Sequence, residues 1–150
     1  MIAKGHLTKI VMLGYLDEEM LDALLPISEL LQFDENEYIF RQKDPADRFY
    51  MVLNGKVLLE QQISATVTIT VGAIKPGYSL GWSSMLDEAE YSTDAICAEP
   101  TQVISFRSDK LKALFEKNHS LGYIMSQRLL RIIKKRYEIR TEQLVKVIRH

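Results

Sequence analysis

The sequence predicts an α+β fold: a sandwich or jelly-roll barrel of short strands, flanked by N-terminal helices and a long C-terminal helix. Three observations carry the prediction. Apolar residues recur at helical spacing up to about residue 32. Short β-rich runs broken by turn residues then continue to about residue 107, and from residue 108 the helical period returns and holds. At 150 residues and 47% hydrophobic, the chain suits one domain, with 1–32 as N-terminal helices, 33–107 as the roll and 108–150 as C-terminal helices.

Leu7, Ile10, Val11, Leu16, Met20, Leu21, Leu24 and Leu25 fall largely at three- and four-residue spacing, and the pattern runs on to Leu31. Two helical pieces follow from it, separated near Gly14. Asp17 is the N-cap of the second, with Glu18 and Glu19 at the positive helix end. Pro26 is expected to kink or restart this piece, because it removes a donor and clashes with the carbonyl four residues back.

In the roll, Tyr38–Phe40, Phe49–Leu53, Lys56–Leu59, Val67–Val71, Ala95–Ala98 and Thr101–Phe106 read as strands. Asn54-Gly55 predicts a hairpin between its flanking strands. Thr66 to Val71 alternates strictly, which predicts a strand with one face buried and one in water. Residues 71–98 hold Gly72, Gly77, Gly81 and the only tryptophan, Trp82. They read as strand, turn, short helix or polar loop, then strand. A ligand pocket is expected here, walled by Gly81, Trp82, Ser83 and Ser84 and by Ser92 and Thr93 about ten residues on.

Ser108 is expected to cap a helix to about Lys117, and a second helix runs from about Ser120 to Val147. Along it Tyr123, Ser126, Leu130, Ile133, Tyr137, Arg140, Leu144 and Val147 alternate spacings of three and four, a coiled-coil seam with two polar interruptions. Met125, Leu129, Ile132, Ile139 and Ile148 lie beside it. So wide an apolar surface has two things to cover, the domain's own roll and a second copy. Leu130, Ile133, Tyr137 and Leu144 are the expected homodimer contacts.

Composition narrows the function. One cysteine, Cys97, excludes an internal disulfide, and a strand thiol is by default buried and inert. His6, His119 and His150 have no metal-ligand spacing and suit surface or capping positions. No metal, cofactor or catalytic residue is assigned, and the chain reads as a non-enzyme. It has no apolar run of the roughly 20 residues that span a bilayer and no signal-peptide pattern, so no membrane partner and a cytoplasmic location are expected.

The net charge of −1 conceals an asymmetry: residues 121–150 carry eight Lys/Arg against two Glu, a net +6, leaving −7 elsewhere. A basic helix can contact phosphates. Cations near a helix C-terminus also suit its dipole, and Asp87, Glu88 and Glu90 offer an acidic neighbour.

The order of elements resembles the cyclic-nucleotide-binding domain of the catabolite activator protein family, and particular residues carry the likeness. Ile39-Phe40-Arg41-Gln42-Lys43-Asp44-Pro45-Ala46-Asp47 and Tyr50-Met51-Val52-Leu53-Asn54-Gly55-Lys56-Val57 resemble the family's early strands. Ile74-Lys75-Pro76-Gly77 with Leu80-Gly81 resembles the approach to its phosphate-binding cassette. The likeness covers nearly the whole chain. It implies a double-stranded β-helix, or jelly roll, a small-molecule or cyclic-nucleotide-like ligand at the cassette, a dimer through the long helix, and a regulatory role. Family transcription factors append a helix-turn-helix after this helix; the likeness here is to the single-domain form, and nucleic acid is not an expected partner.

The departures concern the site. The family's pattern has Gly-Glu at the cassette start, where Glu meets the ribose hydroxyl, and Arg about ten residues later, paired with the cyclic phosphate. Here Gly81 is kept, Trp82 stands at the Glu position, and the Arg position falls on Ser92, or on Tyr91 if the loop shifts by one. Each lost charged contact is worth about 1.5 to 3 kcal/mol, so together they weaken binding by roughly two to four decades. The cassette's helix start and the hydroxyls of Ser83, Ser84, Ser92 and Thr93 remain as neutral donors for an anion. Trp82 either stacks on a ligand or fills the space of one. The family also usually has Gly where Asn36 and Lys43 stand, so strain or a changed turn is expected at Lys43.

Three functions are consistent with these residues: a regulatory module sensing a small molecule with a degenerate cassette; a ligand-free dimerisation or partner-docking module whose pocket Trp82 has closed; and a nucleic-acid binder acting through the basic helix. A cupin-type metalloenzyme is set aside, because no strand carries a histidine.

Overall fold

The carboxylate of Asp17 accepts from the Met20 N–H at 2.9 Å and opens a helix, as its residue type and position predict. The computed structural model describes residues 2–87 and 89–149. The N-terminal part comprises helix α1 (Lys4–Leu7), a 3-10 turn (Val11–Tyr15), helix α2 (Glu18–Leu24) and a second 3-10 turn (Leu25–Ile27). The strands are β1 (Ser28–Phe33), β2 (Tyr38–Phe40), β3 (Arg48–Asn54), β4 (Val57–Gln62), β5 (Thr68–Ile74), β6 (Ser79–Leu80), β7 (Asp94–Cys97) and β8 (Thr101–Arg107), with a 3-10 turn (Trp82–Met85) between β6 and β7. Helices α3 (Ser108–Lys117) and α4 (His119–Arg149) follow. No helix among the described residues is long and apolar enough to cross a membrane.

The helical spacing that continues to Leu31 is overturned at Ser28. Pro26 lies in the 3-10 turn after α2, and the chain then extends into β1, antiparallel to β8. Leu30 and Leu31 are apolar for different reasons: Leu30 packs on the helix side of the sheet and Leu31 between the sheets.

The strands form two antiparallel four-stranded sheets, ordered β1-β8-β3-β6 and β2-β7-β4-β5. Every residue from Phe49 to Leu53 is buried because the first sheet is covered on both faces. Phe49, Met51 and Leu53 meet the helices, together with Leu13, Leu24 and Leu121. Tyr50 and Val52 point into the roll, toward Val57, Ile74 and Val103.

Asn54-Gly55 makes a tight turn, but the predicted hairpin is absent. β3 pairs with β6 and β8, whereas β4 pairs with β5 and β7, so the turn carries the chain from one sheet to the other. Lys75-Pro76-Gly77 and Glu99-Pro100 also link strands of opposite sheets. Gly55 has φ +95°, and a Cβ there would lie 2.5 Å from the Pro100 carbonyl oxygen and closer still to Thr101 Oγ1.

Two further expectations change. The alternation in Thr66 to Val71 does not bury one face in the isolated chain: β5 is a sheet edge, and Val67 and Ile69 remain exposed. Its outer half pairs with Glu60, Gln61 and Gln62 of β4, a polar segment that lies beyond the core. Ser108 is the first residue of α3 and not its cap; Arg107 holds the cap position without a side-chain bond. Asn36 and Lys43 both adopt the left-handed conformation, φ 69° and 73°, so the turn at Lys43 is kept at a cost of about 1 kcal/mol.

Asn118 Oδ1 accepts from the Leu121 N–H at 3.0 Å where α4 begins. Leu121, Met125 and Leu129 bury one face of α4, and from Tyr137 onward every described residue of the helix is exposed. Asp87 pairs with Lys112 of α3 at 3.0 Å and not with the basic helix; Glu88 lies outside the described residues, as does His150. His6 Nδ1 accepts from the Ala3 N–H, a capping contact. Cys97 is fully buried, which pushes its thiol pKa up.

The crowded turn gives a direct test. Gly55→Ala should cost about 2 kcal/mol or more in urea denaturation, from strain at positive φ and collision with the facing turn. Gly14→Ala, where an added Cβ meets nothing within 4 Å, should leave stability unchanged or raise it by about 0.5 kcal/mol.

Candidate functional site

Gly81 turns the chain out of β6 with φ 82° and ψ 30°. A Cβ here would come within 3.0 Å of the Arg48 carbonyl oxygen and 3.3 Å of the Tyr50 ring, so the position requires glycine. The following segment is a four-residue 3-10 turn, Trp82–Met85. The Ser84 N–H and Oγ both donate to the Gly81 carbonyl, at 3.1 and 2.7 Å. This overturns two expectations. Ser84 is buried and holds the turn closed, outside the cavity, and so short a helical turn is no helix-start anion site.

Tyr91 fixes the opposite wall. Its hydroxyl donates to the Arg48 carbonyl at 2.6 Å and accepts from the Arg48 N–H at 3.1 Å. Its ring stacks on Phe40, with centroids 3.8 Å apart and planes 9° from parallel. The Tyr91 backbone bonds to Lys43 and Asp44, tying the 91–93 segment to the loop before β3.

Between these walls and α4 lies a cavity of about 350 Å³. Gly81, Trp82, Ser83, Ser92 and Thr93 all line it, so five of the six predicted ligand residues converge on one space. Trp82 borders the cavity without filling it. The Arg136 guanidinium lies 4.7 Å from the centre of the Trp82 ring system, a cation–π contact, and the buried Trp82 Nε1 has no hydrogen-bond partner among the described residues.

The far side of the cavity was missed at sequence level. Ile133, Arg136, Tyr137 and Arg140 line it from α4. Their spacing of three, four and seven residues is one helical face; the sequence pattern assigns Ile133, Tyr137 and Arg140 to the dimer seam and leaves Arg136 out of it. Leu130 and Ile133 also border a neighbouring apolar groove of about 260 Å³ beside Met85 and Leu86. Of the four predicted dimer residues, Ile133 and Tyr137 therefore face the cavity, while Leu144 stands clear of both spaces. Burial, and secondarily the nearby Arg140 charge, lowers the Arg136 pKa.

Removing the Tyr91 hydroxyl should be costly, because both Arg48 backbone groups lose their phenolic partner. Tyr91→Phe is expected to lose about 1 to 3 kcal/mol in chemical denaturation. Burial pushes the Tyr50 phenol up to about 12 and raises Tyr91 as well. An unfolded phenol titrates near pH 10, so this stabilisation is complete below about pH 10 and is lost as pH rises through the folded values. The alkaline decline in stability should be shallower in Tyr91→Phe.

A family model described as "Cyclic nucleotide-binding domain" matches residues 30–118. The chain is 31% identical over 116 residues to a cyclic AMP receptor protein of Thermus thermophilus, an alignment covering 74% of this chain and 53% of that protein. It is 27% identical over 120 residues to a global nitrogen regulator of a Nostoc species, covering 79% and 52%. The chain thus spans about half the length of the curated relatives it matches. A crystal structure of a candidate cyclic nucleotide-binding protein from Geobacter metallireducens superposes with a TM-score of 0.80 at 26% identity, covering 91% of this chain and 99% of that one. Sequence model and fold agree: the chain belongs to the cyclic nucleotide-binding domain family.

Proposed function

We propose that this chain is a non-enzymatic regulatory module that senses a small molecule with a degenerate cassette and works as a cytoplasmic homodimer. The observation that carries the reading is the cavity of about 350 Å³ bounded by the cassette segment on one side and α4 on the other. Its volume falls within the range of small-molecule sites. An occupant would touch both bodies at once, and so bias where α4 lies against the roll.

The departure from ordinary nucleotide chemistry rests on the family resemblance, which sets Trp82 at the position of one charged contact and Ser92, or Tyr91 if the loop shifts by one, at the other. The regulatory reading draws support from the names of the relatives, a receptor and a nitrogen regulator. The homodimer reading draws support from Leu130, Leu144 and Val147, exposed by 59%, 60% and 73% on a helix that ordinarily buries such residues. A second reading, a ligand-free docking module, is favoured by the apolar groove beside Met85 and Leu86. Nucleic acid is not proposed as a partner: Arg128 and Arg136 of the basic helix lie over Tyr15 and Trp82 of their own domain.

Cyclic AMP and cyclic GMP at sub-millimolar concentration should leave the melting temperature unchanged; a clear rise for either would restore ordinary nucleotide sensing. Light scattering should give twice the chain mass for the unaltered protein and a monomer for Leu130→Glu with Leu144→Glu. A mass that does not respond to this pair removes the seam assignment.

A further inference from the structure

We infer that the cavity takes a small oxyanion carrying a planar apolar body, without the ribose and polar base of a cyclic nucleotide, and that Arg136 and Arg140 of α4 receive its charge in place of the cassette. The inference rests on the reading of this cavity as a ligand site. Among the described residues its lining holds two guanidinium groups and no carboxylate. Among the described residues neither arginine has an acidic group within 4.0 Å; the one ion pair on α4 joins Lys134 to Glu138. Two like charges one helical turn apart repel, and an oxyanion between them replaces that repulsion with charge-assisted hydrogen bonds.

The remaining groups match the same ligand class. Ser83, Ser92 and Thr93 add neutral hydroxyl donors at the cavity wall. Among the described residues the lining therefore offers donors and no anionic acceptor. The cation–π contact orients the Arg136 group over Trp82, and a planar guanidinium held in this way can meet an oxyanion with its in-plane N–H groups. Burial of that guanidinium is a cost that an anion would offset. Trp82 and the stacked pair Phe40 and Tyr91 supply flat apolar surface beside the charges.

A matched pair of probes separates charge from shape. Anilinonaphthalene sulfonate carries a sulfonate on two aromatic units, and phenylnaphthylamine has the same body without the charge. Both are titrated while the emission of Trp82, the only tryptophan, is followed. The sulfonate should bind about tenfold tighter or better, the value of one hydrogen bond to a charged group. Arg136→Gln with Arg140→Gln should equalise the two probes, and Arg136→Lys with Arg140→Lys should retain a preference for the sulfonate. Because Arg140 is exposed, Arg140→Gln alone serves if the double variant does not fold, and it should reduce the preference severalfold. Equal affinities in the unaltered protein, or a preference that survives the Gln variants, would overturn the inference while leaving the cavity as a ligand site. Failure of both probes to quench Trp82 would remove the two readings together.

Discussion

The paired hydrogen bonds between the Tyr91 hydroxyl and the Arg48 backbone are the constraint on which the site depends. They fix the start of β3, and Gly81 can pass only because it lacks a side chain where the Arg48 carbonyl lies. The Tyr91 backbone meanwhile secures the Lys43 turn, which keeps its left-handed form despite the unsuitable residue. The start of β3, Gly81 and the Lys43 turn therefore meet at one residue, Tyr91. A phenol in that position is expensive to bury and is offset by using its oxygen as both donor and acceptor.

The fold was legible because its local signals agree with its global arrangement. The Asp17 cap, the short strands and the final long helix all appear where residue types place them. Two misreadings share one cause: a local pattern does not report what packs against it from elsewhere in the chain. Leu30 and Leu31 fit a helical count, yet they lie on opposite faces of a strand. Asn54-Gly55 signals a tight turn truthfully, but which strands then pair depends on the opposite sheet. Ile133 and Tyr137 fit a dimer seam and also border the cavity, a double use that periodicity does not resolve. At the site, Ser83, Ser92 and Thr93 were readable from the cassette pattern. Arg136 and Arg140, over forty residues later, could be placed only once the path of α4 was known.

The site's chemistry is distributed differently from the pattern its family suggests. The cassette segment contributes a glycine turn, hydroxyls and an aromatic face, whereas positive charge comes from the helix packed across from it. On the proposed reading, a ligand would not simply sit in the roll with α4 as a lid. It would complete an electrostatic contact between two bodies that otherwise meet mainly through apolar packing, and its departure would leave two neighbouring guanidiniums without a counter-charge.

The exposed end of α4 gives this arrangement a mechanical consequence. From Arg136 to Arg149 the helix runs about 20 Å at 1.5 Å per residue, with every described residue after Arg136 exposed. Such a rod is a lever whose fulcrum lies beside Trp82. A tilt of about 10° at the cavity would move its tip by roughly 3.5 Å over that length, comparable to the width of a side chain. An adjustment too small to disturb the packing around Leu121 and Met125 would still decide which residues the far end presents to whatever it meets.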